Sequence, residues 1–140
     1  MANAVFVSFD YENDKHYKFL LEAWHAHPRF QFVFQDETPR EIDSNNVGRV
    51  KAALTTKIRG ATHTLVIVGK YANEPHRHRL LIGYRNWINF EIAQSKAAGN
   101  KIVAVKIDRS YESPEELTGA NASWAMAFTE EAIVRALSGY

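Results

Sequence analysis

The chain is expected to be an α/β protein: a three-layer sandwich in which helices cover both faces of a five-stranded parallel sheet of order 2-1-3-4-5. Three observations predict it. Short β-branched and aromatic runs alternate with amphipathic stretches along the whole sequence. The runs are apolar throughout, as strands covered on both faces must be. Finally, 140 residues suffice for one core without staples, so residues 1–140 are expected to form a single domain.

The elements follow in order. Ala4 to Phe9 reads as a buried first strand. Asn13 or Asp14 can cap a helix whose Tyr17, Leu20, Leu21 and Trp24 share one face, and Pro28 closes it. Phe30 to Phe34 is a second strand. Asp43 or Ser44 can cap a second helix with Val47, Val50, Leu54 and Ile58 inward and Gly60 at its end. Thr62 to Val68 is the clearest strand. A third helix runs from Trp87 to Ala98, capped by Asn86 and ended by Gly99. Ile102 to Ile107 is a fourth strand and Ser123 to Phe128 a short fifth. Thr129 opens a last helix with Ile133, Val134 and Leu137 inward, its Glu130 and Glu131 meeting the positive end of the dipole. Two connections, Lys70 to Arg85 and Arg109 to about Asn121, are long for such a domain.

Composition narrows the function. With 46% hydrophobic residues, 24% charged, 4 Pro and 7 Gly, the chain is too apolar for disorder. The absence of cysteine excludes disulfides and thiolate metal sites and fits a reducing compartment. No apolar run is long enough to span a bilayer and no secretory signal opens the chain, so a cytoplasmic protein without a membrane partner is expected. Seventeen Lys+Arg against sixteen Asp+Glu leave a net charge of +1, weaker than the basic bias of a duplex-DNA binder, and no nucleic-acid partner is expected.

In an open parallel sheet, ligands sit beyond the carboxyl ends of the strands. That rule gathers Phe9, Asp10, Asp36, Gly69 and the start of the third helix on one edge. Trp87 and Glu91 are four residues apart and share a helix face. Burial habits make Trp87 a core residue more often than a ligand platform. Glu91 lies within Trp87-Ile88-Asn89-Phe90-Glu91-Ile92-Ala93, a segment apolar nearly all round, where a carboxylate is costly unless paired or used.

Other motifs are weaker. His76-Arg77-His78-Arg79 offers an H-x-H without a third ligand and reads as a solvated basic loop, so no metal site is expected. His25 and His27 are explained by a helix end. Phosphate-loop, dinucleotide-fingerprint and nucleophile-elbow motifs are absent, and the third strand ends Val68-Gly69-Lys70, without the aspartate a phospho-acceptor domain needs.

Val5-Phe6-Val7-Ser8-Phe9-Asp10-Tyr11, Leu65-Val66-Ile67-Val68-Gly69 and Arg85-Asn86-Trp87-Ile88-Asn89-Phe90-Glu91-Ile92 together resemble the bacterial TIR-like domains. The resemblance is closest to the small sensor enzymes of Thoeris antiphage defence. It spans nearly the whole chain, and W-x-x-x-E is its most specific part. It implies a flavodoxin-like (TIR-like) fold and a catalytic glutamate at Glu91. It further implies a nucleotide pocket lined by Ser8, Phe9 and Asp10, with Trp87 as the motif's aromatic. The loop Gln35 to Glu41 corresponds to the family's mobile loop, with Asp36 in its acidic position. The chain departs by lacking the Arg-Asp and Pro-Gly pairs of animal members and by a longer segment, Asn73 to Tyr84.

The implied activity is that of an NAD+ glycohydrolase, ADP-ribosyl cyclase or transferase, with NAD+ as substrate and no cofactor. Its diffusible nucleotide product would reach a separate effector protein, and the implied partners extend to a phage-derived trigger and a homo-oligomer. Such chemistry is coherent with one carboxylate. Glycosidases ordinarily need an acid as well, whereas the nicotinamide of NAD+ is already cationic and leaves neutral. What needs stabilising is an oxocarbenium-like ribose, which a preorganised carboxylate does electrostatically. Two other readings stand beside it: a non-catalytic interaction module using Gln35–Glu41 and Lys70–Arg85 for homotypic contacts, and a nucleoside deoxyribosyltransferase-like enzyme.

Overall fold

The computed structural model describes residues 3–25, 32–35 and 46–138. Within them, strands β1 (Asn3–Ser8), β2 (Phe32–Gln35), β3 (His63–Val68), β4 (Lys101–Lys106) and β5 (Ser123–Ala125) form one sheet of order β2-β1-β3-β4-β5. Every neighbouring pair is parallel, with Ser8 opposite Val66 and Val68 opposite Lys106. The expected strand order is the observed one. Helices α1 (Tyr11–His25), α2 (Val47–Arg59), α3 (Arg79–Ile82), α4 (Trp87–Ala98) and α5 (Glu130–Leu137) supply the crossovers, with a single 3-10 turn at Glu115–Leu117.

Side-chain alternation along the strands divides the core. Val5, Val7 and Phe9 join Leu65, Ile67, Val103 and Val105 under Leu21 of α1 and Ile133 and Leu137 of α5. On the opposite face Phe6 packs with Val50, Leu54 and Ile58 of α2 and Phe90 of α4, while Val66, Val68, Ile102 and Ala104 meet Ile88 and Ile92 of α4. The architecture therefore has three layers. No helix among the described residues is long and apolar enough to cross a membrane.

Several boundaries differ from expectation for identifiable reasons. Helix α1 starts at Tyr11, because the Asp10 carbonyl already accepts from Asp14 N at 2.7 Å. Asp14 is therefore inside the helix instead of capping it. Leu20 of the expected inward face is 44% exposed. Helix α2 is capped by Asn46, whose side chain accepts from Arg49 N at 3.0 Å; Asp43 and Ser44 lie outside the described residues. In α5 the fully inward residue beside Ile133 and Leu137 is Ala136, and Val134 is half-buried. The long connection after β3 contains α3, a single turn that buries Ile82 and ends at Gly83 in the left-handed conformation (φ 85°). Four residues are too few for sequence periodicity to reveal. Strand β5 ends at Ala125, three residues before Phe128.

Candidate active site

Helix α4 has the limits read from sequence. Asn86 caps it through its side-chain oxygen, which accepts from Asn89 N at 2.9 Å, and Gly99 closes it at φ 78°. It lies between α2 and β4 and buries Ile88, Asn89, Phe90, Glu91, Ile92 and Ser95. Running antiparallel to the strands, as a crossover helix must, α4 presents its N-terminus at the carboxyl edge of the sheet.

Glu91 is 2% exposed. The Ser8 hydroxyl, at the end of β1, donates to its Oε1 at 2.6 Å. Its Oε2 is buried and has no hydrogen-bond partner. Neither neighbouring cation takes it: Lys96 pairs with Glu116 at 3.1 Å and Arg85 Nε donates to the Asn73 carbonyl at 2.6 Å. Burial pushes the Glu91 carboxyl up to about 8, and the Ser8 hydrogen bond pulls the other way. Burial thus favours the protonated carboxyl in the free protein, and with Ser8 donating to Oε1 the proton falls on Oε2, the oxygen without a partner.

Trp87 takes the core position that burial habits favour. It is half-buried and packs on the Phe6–α2 cluster, with its ring edge-on to Phe90 at 5.6 Å and to His76 at 6.5 Å. The segment His76 to Arg79 is correspondingly not wholly solvated: His76 is half-buried, while Arg77, His78 and Arg79 are exposed.

The remaining candidate residues disperse. Phe9 is buried on the α1–α5 face, opposite to Ser8 and Glu91, with Lys18 Nζ 6.0 Å from its ring centre. Asp10 is half-buried at the start of α1 and accepts from Asn13 Nδ2 at 2.7 Å. Asp36 lies outside the described residues. The structure therefore brings Ser8 to Glu91, keeps Trp87 one helical turn away, and turns Phe9 to the other face.

Two features were missed by sequence reasoning. Asn73, Asn86 and Asn89 form a buried amide cluster at the head of α4. Asn86 Nδ2 donates to the Ala72 and Glu74 carbonyls at 2.9 and 3.0 Å, and Asn89 Nδ2 donates to the Asn73 and Asn86 side-chain oxygens. Asn73 Oδ1 accepts from Glu115 N and Asn89 Oδ1 from Glu116 N, so one cluster fastens both long connections. Two polar residues, Asn86 and Asn89, three apart at an otherwise apolar helix start, were the available signal. The second feature is Asp14, 6% exposed with Oδ2 unpartnered, lying against Gly69. Burial, and then the charge of Asp10, raise its carboxyl to about 6. A Cβ at position 69 would come within 1.9 Å of that oxygen, so Gly69 makes the space for it.

The arrangement at α4 is an unpaired carboxyl held on a helix and fixed by one hydroxyl, with Trp87 one helical turn before it. Among the described residues no group of three or more His, Asp or Glu could hold a metal ion. When ionised, a buried carboxyl of this kind stabilises developing positive charge and accepts from a sugar hydroxyl; when protonated, it donates to one.

Residues 6–112 match the family described as Thoeris protein ThsB, TIR-like domain. That match covers most of the sequence and includes both Ser8 and Glu91. The chain belongs to the ThsB TIR-like domain family of Thoeris antiphage defence. Comparison with curated proteins gives no match. Among solved structures, a 2-deoxyribosyltransferase from the psychrotolerant bacterium Bacillus psychrosaccharolyticus is similar, with a TM-score of 0.60 and 12% identity over 92% of this chain and 90% of that one. At that identity the likeness concerns the fold alone.

Proposed function

We propose that this chain cleaves the nicotinamide–ribose bond of NAD+, as a TIR-type glycohydrolase or ADP-ribosyl cyclase or transferase, and makes a nucleotide signal for a separate effector of the defence system. The observation that carries the reading is Glu91, a buried carboxyl with no ion pair and an unused oxygen on α4. Membership of the ThsB TIR-like family supports it. In the proposed reaction the C1′–N bond breaks with its electron pair going to nicotinamide, which leaves neutral. Glu91 stabilises the oxocarbenium-like ribose, and Oε2 accepts from a ribose hydroxyl. Water attacking C1′ gives ADP-ribose; an atom of the same molecule gives a cyclic product; a small acceptor gives a conjugate. The positive charge of bound nicotinamide favours ionisation of Glu91 and so helps set the carboxyl in its working state.

The deoxyribosyltransferase-like fold supplies the alternative substrate class. Purified protein, with and without extract from phage-infected cells, is incubated with NAD+ and separately with pairs of deoxynucleosides and free bases. Nicotinamide release without base exchange is expected. Base exchange with NAD+ left intact would replace this reading with the deoxynucleoside one.

A further inference from the structure

We propose that the turn His76–Arg79, folded against Trp87, is a diphosphate-binding subsite; the proposal rests on the reading of Glu91 as the centre of a dinucleotide-cleaving site. Between Lys70 and Phe90 the sequence holds Lys70, Arg77, Arg79 and Arg85 against one acid, Glu74, in a chain whose net charge is only +1. The cationic excess is thus concentrated in one segment.

The turn is built rather than loose. His76 N donates to the Arg85 carbonyl at 2.8 Å, which ties the turn to the residue just before the cap of α4. The His76 carbonyl accepts from Arg79 N at 3.1 Å and from Arg79 Nη1 at 3.3 Å. His78 N donates to His76 Nδ1 at 2.9 Å. With Nδ1 occupied as an acceptor, the neutral ring carries its proton on Nε2 and is a donor there. Burial, and then the charges of His78 and Arg77, hold His76 below the usual histidine range, which keeps the ring in that form at neutral pH. Arg77 is exposed and makes no hydrogen bond or ion pair with the described residues. A diphosphate matches such a set: guanidinium groups bind phosphate oxygens in pairs, and a fixed N–H adds direction.

Position selects a dinucleotide over a free anion. Trp87 stands four residues before Glu91, a helical rise of about 6 Å, and the His76 ring centre lies 6.5 Å from that of Trp87. The carboxyl, the aromatic ring and the cationic turn packed on that ring therefore all belong to the N-terminal half of α4 and the segment tied to it. In a dinucleotide the ribose at the cleaved bond is bonded directly to the diphosphate, so an acid that faces this ribose needs its diphosphate subsite close by.

Inorganic pyrophosphate is the probe, titrated calorimetrically into the wild type and into Arg77→Ala/Arg79→Ala. The double variant is expected to bind at least tenfold more weakly, with Arg77→Gln alone intermediate. The same double variant is expected to raise KM for NAD+ with kcat nearly unchanged. Absence of pyrophosphate binding in the wild type, or equal binding in the double variant, overturns the subsite. Pyrophosphate binding through the turn in a protein that never releases nicotinamide would contradict the proposed reaction and leave the subsite standing.

Discussion

Glu91 sits in surroundings that favour its proton, and this has consequences for both stability and rate. Its folded-state value of about 8 lies above the ordinary carboxyl value of 4.5. Between those values the folded chain holds a proton that the unfolded chain releases, so stability falls as pH rises through this window. Asp14 adds a similar slope up to about pH 6. His63 and His76, held below the usual histidine value of 6.5, add a slope of opposite sign that is spent by about pH 7, so the interval from pH 7 to 8 reports Glu91. Glu91→Gln is expected to flatten the fall in chemical-denaturation stability there and to gain on the order of 2–4 kcal/mol at pH 8.5. A slope equal to wild type would contradict the burial argument. In catalysis the sign reverses: kcat/KM for NAD+ is expected to climb with pH toward about 8. Ser8→Ala removes the hydrogen bond that lowers the Glu91 value, and should move the midpoint upward, depressing the rate at pH 7 more than at pH 9. Just after β3, Gly69→Ala drives a Cβ into Asp14 and should cost roughly 1–3 kcal/mol. Asp14→Ala in the same chain should recover most of that loss. Equal losses in the single and double variants would show that the contact is not the cause.

At the scale of elements, α4 is where sequence and structure agree most closely, because cap, breaker and apolar content all act locally. Asn86 and Gly99 are legible from residue type alone. What periodicity could not show is why Asn89 is buried: its side chain serves two separate connections, contributed by residues before and after the helix. Asn89→Ala leaves the Glu116 N–H without its partner and the Asn73 side-chain oxygen with Glu115 N alone, and is expected to destabilise by about 2–3 kcal/mol. Amide exchange at Glu115 and Glu116 should accelerate more than at β3. Uniform acceleration across the sheet would mean that the cluster supports the fold as a whole rather than pinning two connections. The start of α1 shows the opposite lesson. Two candidate caps are legible there, Asn13 and Asp14, and the path of the chain leaving β1 starts the helix ahead of both.

For the molecule as a whole, strand order was legible because right-handed crossovers leave few arrangements of five short apolar runs. The pairing of Ser8 with Glu91 was not, since the two residues are 83 positions apart and meet only when β1 and α4 pack. The resemblance named both residues, whereas the hydrogen bond between them, and the turning of Phe9 to the opposite face, follow from strand alternation once the sheet is assembled. The carboxyl edge, not any one motif, is what lets a chain of near-zero net charge hold an unpaired acid, an aromatic ring and a cationic turn at the head of one helix. The central claim is that this acid does the chemistry. The most direct measurement is nicotinamide release from NAD+ by wild type and Glu91→Gln at pH 8, with matched folding confirmed and infected-cell extract supplied to both. The account predicts release by wild type and a loss of at least a hundredfold in Glu91→Gln; equal rates in the two proteins would contradict it.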